Sequence, residues 1–205
     1  MDYYQSLISD NIYHIVHRAV GKELLFIEQE NYRFFLERYH KYIAPIADTY
    51  AYSLLENHFH FLVQIKPHDE LLPLFKKVKL NRIAYDGWQP DFVMQQWSNL
   101  LNSYTKSFNK KYQRKGSLFM DYLRRVNVET DAQFCATAFY IHKNAVHHSY
   151  CNQMEDWPHC SYIQLRTNSS SIIQKQSLIE WFGGLDRLIQ YHQQPIYLKN
   201  AVVVE

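Results

Sequence analysis

Two constellations in this chain are built from residue types that can do chemistry together. The first is His58-Phe59-His60-Phe61-Leu62-Val63-Gln64-Ile65. In an extended chain Phe59, Phe61, Val63 and Ile65 fall on one side, and His58, His60, Leu62 and Gln64 on the other. His58 and His60 then project side by side, where they can chelate one divalent metal with a third ligand from another element. Imidazole suits several first-row metals, so the pair alone does not choose one. The second is Tyr140 with Asn144 and His147, spaced i, i+4 and i+7 along one helix face. A phenol can attack phosphorus as a covalent nucleophile. With a free pKa of about 10, it needs a nearby cation or metal to ionise. Asn144 can place an amide oxygen on that same metal. Cys151 and Cys160, with His159, lack a closed four-ligand zinc pattern.

The elements that must hold these residues are legible from periodicity. Asn11 to His17 is rich in β-branched and aromatic residues and reads as a strand. Tyr32, Phe35, Leu36, Tyr39, Tyr42 and Ile43 recur at helical spacing from Glu30 until Pro45. Residues 46–55 read as a second strand, with Tyr50, Tyr52 and Leu54 on one side, and Glu56-Asn57 turns it into the His58 strand. Leu71 to Ile83 suggests a short basic helix carrying Lys76, Lys77, Lys79 and Arg82. Residues 97–112 form a helix with Leu100, Leu101, Tyr104, Phe108 and Tyr112 as its apolar stripe. Leu118 to Val128 reads as a strand. Thr130-Asp131 caps a further helix whose buried stripe is Phe134, Ala138, Ile141 and Ala145. Asn168 to Ser171 reads as a surface linker. Leu178, Ile179 and Phe182, then Leu185, Leu188 and Ile189, suggest two short helices broken at Gly183-Gly184.

In order this is strand, helix, strand, strand, helices, strand, helices. That is the split ferredoxin-like plan. The expected fold is α+β: an antiparallel sheet with helices on one face, the tyrosine-bearing helix near the His-x-His strand, and extra C-terminal helices. Residues 1–165 are expected to form the catalytic unit and 166–205 a helical extension packed on it.

Composition narrows the class. The chain has 205 residues, 47% hydrophobic and 20% charged, which excludes global disorder. No apolar run approaches the roughly 18 residues of a membrane span, and the N-terminal residues lack a signal-peptide pattern. Three cysteines without CxxC spacing fit a reducing, cytoplasmic setting. Net charge is only +2, yet residues 76–125 carry 11 Lys and Arg against 3 Asp and Glu, leaving −6 for the rest. This local surplus, mixed with Trp97, Tyr104, Phe108 and Tyr112, suits a polyanion. Lys106, Lys110, Lys111, Arg114, Lys115, Arg124 and Arg125 are the nucleic-acid-binding candidates.

Taken with their order and separation, these segments resemble the HUH-type single-tyrosine transposases. The similarity is to the insertion-sequence-200-like group that includes the REP-associated tyrosine transposases, and it runs over most of residues 10–165. Asn57-His58-Phe59-His60 resembles the family's Asn-His-hydrophobic-His strand. Tyr104 to Tyr112, followed by Gly116-Ser117-Leu118-Phe119, resembles its middle helix and following strand. Tyr140-Ile141-His142-Lys143-Asn144 resembles its nucleophile element, and Trp157 to Tyr162 the tryptophan-serine segment after it.

The resemblance implies a DNA strand transferase that cuts and rejoins single-stranded, hairpin-bearing DNA through a 5′-phosphotyrosine. Tyr140 would be the nucleophile, and His58, His60 and Asn144 the ligands of magnesium or manganese. It implies no membrane partner, and a monomer or a homodimer that exchanges the tyrosine helix. Where relatives have Pro after the Asn and Gly near the segment's end, this chain has Ala145 and Ser149. Ala favours an unbroken helix, which makes His147 the substitute third ligand to consider. Two other readings stay open: a non-catalytic DNA- or RNA-hairpin-binding protein derived from such a transposase, and a hydrolase using a metal-activated water.

Overall fold

The computed structural model describes residues 2–78, 83–165, 172–195 and 201–203. The chain runs β1 (Ile12–Arg18), α1 (Gln29–Tyr42), β2 (Ala47–Leu55), β3 (His58–Ile65), α2 (His68–Val78), α3 (Trp88–Lys111), β4 (Arg124–Val128) and α4 (Asp131–His147). Shorter helices follow: α5 (Tyr162–Leu165), α6 (Lys175–Trp181) and α7 (Leu185–His192). The four strands make one antiparallel sheet in the order β2-β3-β1-β4, which is the expected ferredoxin-like plan.

The alternation of β3 decides what lies on each face. Phe59 and Phe61 turn toward α1 and α3. There Tyr39 stacks on Phe61 with ring centroids 4.3 Å apart, and Phe35 lies 5.1 Å from Phe59. Trp97 of α3 closes the same aromatic layer and is fully buried. Each such ring contributes roughly 1.5–3 kcal/mol by leaving water. α4 covers the opposite face, with Phe134 against Tyr50 and Tyr140 against His60. Helices therefore lie on both faces of the sheet rather than on the one face expected from the sequence, and α4 occupies the histidine face.

Several boundaries differ from the sequence reading. β2 carries a register shift between Thr49 and Ala51. An extra residue turns the side chains after it to the other face. Tyr50 consequently points to α4 and Gln64, whereas Tyr52 stacks with Phe61 on the other side. β4 begins only at Arg124. Leu118, Phe119 and Met120 pair with Val20, Ala19 and Arg18, and exposed Asp121 and Tyr122 then interrupt the ladder before Arg124. α3 starts nine residues earlier than its stripe suggests. Gly87 supplies the positive φ of 80° before it, and Pro90 falls in the first turn, where its missing N–H costs nothing. Lys79 and Arg82 of the expected basic helix, and the expected linker Asn168 to Ser171, lie outside the described residues.

α4 is fixed at both ends. Thr130 accepts from the Gln133 backbone N–H and the Gln133 side chain reaches back, completing a capping box. The helix runs straight through Ala145. It ends with Ser149 N–H on the Val146 carbonyl and Tyr150 N–H on the Ala145 carbonyl. This is a Schellman closure with Ser149 at φ 61°, a left-handed position that favours glycine.

A buried histidine chain ties the C-terminal helices to α4. His192 donates Nδ1–H to the Leu188 carbonyl at 2.8 Å, which leaves its Nε2 to accept from His142 Nδ1–H, also at 2.8 Å. Ser161 Oγ–H then donates to His142 Nε2 at 2.9 Å, and Ser161 Oγ accepts from the Tyr52 backbone N–H. Phe134 stacks on Trp181 of α6, and Phe139 packs on Tyr191 of α7.

Two expectations follow. Ser149→Gly relieves the left-handed strain and should stabilise the protein by roughly 0.5–1 kcal/mol, read as a raised urea midpoint at unchanged slope. Burial holds His192 and His17 neutral with pKa values down at about 4. Both titrate near 6.5 once unfolded, so between pH 6.5 and 4 the unfolded chain binds more protons. Stability should therefore be greatest above about pH 6.5 and fall toward pH 4. Equal urea midpoints at pH 7 and pH 5 would contradict this.

Candidate functional site

The site forms where β1, β3 and α4 meet. Antiparallel pairing sets Val16 opposite His60 and Arg18 opposite His58, which puts the even-numbered residues of β1 on the histidine face. His14 thereby reaches His60: His14 Nε2 and His60 Nδ1 are 2.9 Å apart. On α4, Tyr140 lies edge-on to both rings, with centroids 5.7 Å from His60 and 6.0 Å from His14. One turn further, Asn144 Oδ1 lies 3.3 Å from His58 Nε2. His58, His60, Tyr140 and Asn144 are thus brought together. His147 packs on the Tyr140 and His148 rings at the exposed end of the helix, on the tyrosine's side of the cluster.

The hydrogen bonds fix which nitrogen of each ring carries its proton. Burial drives the pKa of His14 down to about 4 and that of His60 well below the usual imidazole range. His58 is also lowered to about 4, by burial first and then by the neighbouring His148. Each ring is therefore neutral near pH 7 and has one N–H to give. His14 donates its own to the Val202 carbonyl at 2.5 Å. Its Nε2 must then accept, so His60 donates Nδ1–H to it. The Nε2 lone pair of His60 is left buried, with no hydrogen-bond partner among the described residues. His58 donates Nδ1–H to Asn57 Oδ1 at 2.7 Å, which turns its Nε2 lone pair toward the Asn144 carbonyl oxygen.

With the Asn144 carbonyl oxygen toward His58 both atoms are acceptors, an arrangement that a cation between them would satisfy. The Asn144 amide N–H₂ is itself buried and unpartnered, and an unsatisfied buried polar group costs roughly 1–3 kcal/mol. Of these groups, the His60 Nε2 lone pair is the one that a bound cation would satisfy. Outer partners that pin Nδ1–H and free Nε2 are how histidines are prepared as metal ligands. The residues present fit a divalent cation held by His58 Nε2, His60 Nε2 and Asn144 Oδ1. Among the described residues no three His, Cys, Asp or Glu side chains form a metal-binding group, so a protein triad here depends on the amide. Cys151, Cys160 and His159 form no such group either, and His159 stacks on Tyr32.

His14, His148 and the outer role of Asn57 were not legible as site features from motif spacing. The parity of β1 is the signal for His14, because it is a polar residue on the same side as Val16 and Arg18. The His58–His148 contact, at 4.9 Å, comes from the helix end folding over the strand.

The basic candidates separate into groups. Lys111 pairs with Glu28 and Glu30, and Arg114 with Glu23, Asn109 and the Ser117 carbonyl. Arg125 donates to the Tyr4, Gln5 and Leu123 carbonyls and so clamps the N-terminal segment. Those three side chains are occupied by the protein itself. Lys106, Lys110 and Lys115 are exposed, on or just after α3, which packs on the sheet face opposite the histidines. Arg124 pairs with Val16 and shares the histidine face.

Comparison with known proteins agrees with this architecture. Among solved structures the chain resembles a REP-associated tyrosine transposase bound to a REP hairpin. The TM-score is 0.55 at 11% sequence identity, covering 84% of this chain and 89% of that one. At that identity the likeness shows a shared fold. No protein-family profile matches the chain, and no curated protein matches it.

The proton arrangement is directly testable. NMR of the imidazole nitrogens should find His58 and His60 both protonated at Nδ1 in the metal-free protein. In His14→Phe the His60 ring loses its acceptor and should no longer be held in that form, while His58 keeps it. An Nε2–H form of His60 in the unsubstituted protein would refute the scheme.

Proposed function

We propose that this chain is a metal-dependent, single-tyrosine strand transferase acting on single-stranded DNA that carries hairpins. One observation carries the reading: the Tyr140 ring packs against His60 and sits one helical turn from Asn144, beside two imidazoles whose ring centroids are 5.1 Å apart and whose protons are held on Nδ1. The fold shared with a hairpin-bound tyrosine transposase supports it.

In this reading the Tyr140 oxygen attacks the scissile phosphorus. The P–O bond to the 3′-oxygen breaks, the phenolic proton is lost, and the departing 3′-oxygen takes up a proton. The product is a 5′-phosphotyrosine and a free 3′-OH. Attack by a 3′-OH on the phosphotyrosine reverses the bonding and restores a phosphodiester, so no external energy source is needed. A divalent ion such as magnesium or manganese, held by His58, His60 and Asn144, would polarise the phosphate and favour the charge that develops on it. His14 acts one step back, by holding the His60 proton on Nδ1. Lys106, Lys110, Lys115 and Arg124 are the cations available for DNA phosphates, and Lys111, Arg114 and Arg125 contribute chiefly to the fold.

One observation favours a second reading. Tyr140 is only 1% exposed and Asn144 fully buried. A nucleophile covered this well matches a protein that kept hairpin binding and gave up cleavage. On the strand-transfer reading, the substrate must displace part of that cover.

A covalent-adduct assay separates the two. The protein is incubated with labelled hairpin-bearing single-stranded DNA and manganese, then denatured. A resistant protein–DNA band that disappears in Tyr140→Phe and in His58→Ala is the expected result. Hairpin binding without any adduct establishes the non-catalytic reading. Cleavage without an adduct points to a metal-activated water.

A further inference from the structure

The hydrogen bonds that order the histidine protons begin outside the elements that carry the site. Their first acceptor is the carbonyl of Val202, 188 residues from His14 and part of the described segment 201–203. Val202 is buried, at 3% exposure, and both of its main-chain polar groups are engaged. The carbonyl accepts from His14 Nδ1–H at 2.5 Å, and the N–H donates to Thr137 Oγ1 at 3.0 Å. One residue thereby joins β1 to α4 through its backbone.

Thr137 places that joint with respect to the site. Thr137, Tyr140 and Asn144 stand at i, i+3 and i+7 of α4, a single stripe of the helix. Thr137 is fully buried, as is Asn144. The stripe offers in turn an anchor for Val202, the tyrosine and the amide. His14 takes the other half of the joint and passes a direction on to His60. The sheet register cannot supply that direction, because it fixes where the two rings stand and not which of them donates. With the Val202 carbonyl in place, His14 gives its proton to it, His14 Nε2 accepts, and the His60 lone pair falls on Nε2. Without that carbonyl the His14–His60 bond forms in either direction. In the reversed direction His60 carries its proton on Nε2 and has no lone pair for a metal there.

We propose that the segment 201–203 is a positioning element of the metal site, and that its docking and metal occupancy are linked. Val202 directs the His60 lone pair toward the metal, and a metal on His60 holds Val202 in its docked place. The linkage rests on the metal-dependent reading above. It is reciprocal, so whatever factor docking adds to metal affinity, the metal adds to docking. If the undocked protein divides evenly between the two directions of the His14–His60 bond, only half of it is competent. Apparent metal affinity then falls about twofold from this source alone.

The test uses a chain ending at residue 200 and two full-length variants. Thr137→Val keeps the shape of the side chain and leaves the Val202 N–H without its acceptor, which favours undocking. Thr137→Ser retains the acceptor. Near neutral pH and without metal, NMR of the imidazole nitrogens should find His60 protonated at Nδ1 in the unsubstituted protein. The shortened chain should show an additional Nε2–H population of His60. Thr137→Val should move His60 the same way, and Thr137→Ser should not. His58, pinned by Asn57, should keep Nδ1–H throughout, which separates a directed effect from general loosening. Magnesium should bind the shortened chain more weakly, by about twofold or more, and should slow hydrogen exchange of the Val202 N–H in the unsubstituted protein. A shortened chain that folds and keeps His60 wholly on Nδ1 would overturn the proposal. If the shortened chain does not fold, Thr137→Val decides, and an unchanged His60 there overturns it equally. If the unsubstituted protein binds neither magnesium nor manganese, the metal-dependent reading and the linkage fall together, while the His60 proton still decides whether Val202 positions it.

Discussion

The site depends on a simple constraint: a neutral imidazole has two nitrogens and one proton. Wherever the proton is pinned on one side, the lone pair is forced to the other. Here the Val202 carbonyl pins His14, His14 pins His60, and Asn57 pins His58. The direction of every bond in that chain follows from the carbonyl at its end. Burial supplies the second half of the constraint, because it prevents the rings from escaping by taking a second proton. The same logic recurs on the far side of α4, where the Leu188 carbonyl sets His192, His142 and Ser161 in turn. There every nitrogen finds a partner, and the result is a strut. In the β1–β3 chain the last nitrogen is left without one, and the result is a candidate binding site.

α4 explains how one helix serves both chains. It is buried on nearly every side, as its uninterrupted buried run from Ala136 to His142 shows. Tyr140 and Asn144 turn to the sheet. Phe139 and His142 turn to the C-terminal helices. A rotation of the helix would disrupt both sets, so the C-terminal helices contribute to tyrosine placement although they lie away from the histidines. The Tyr-Ile-His-x-Asn pattern mixes these roles: its Tyr and Asn belong to the site, and its His belongs to the strut.

What was legible in the sequence is what alternates or recurs. The period of two in β3 placed His58 and His60 on one face and the phenylalanines on the core side. The Thr130 cap and the Phe134 stripe gave α4. Single-residue events stayed hidden. The bulge near Tyr50 reverses a side chain and leaves no periodic trace. The start of α3 lies among Gly87 and Pro90, residues that usually end elements. Lys111 and Arg114 read as free charge because their carboxylate partners, Glu28, Glu30 and Glu23, are distant in sequence. His14 reads as one more residue of an apolar strand until the β1–β3 register sets it against His60.

Charge is consequently arranged differently from the impression a linear count gives. The surplus in residues 76–125 divides between the two faces of the sheet. Lys106, Lys110 and Lys115 stand with α3 on the aromatic side, and Arg124 joins Arg18 on the histidine side. Lys111 and Arg114, which lie among those lysines in sequence, are paired with Glu28, Glu30 and Glu23, so the count of 11 basic residues overstates the free positive charge that either face presents.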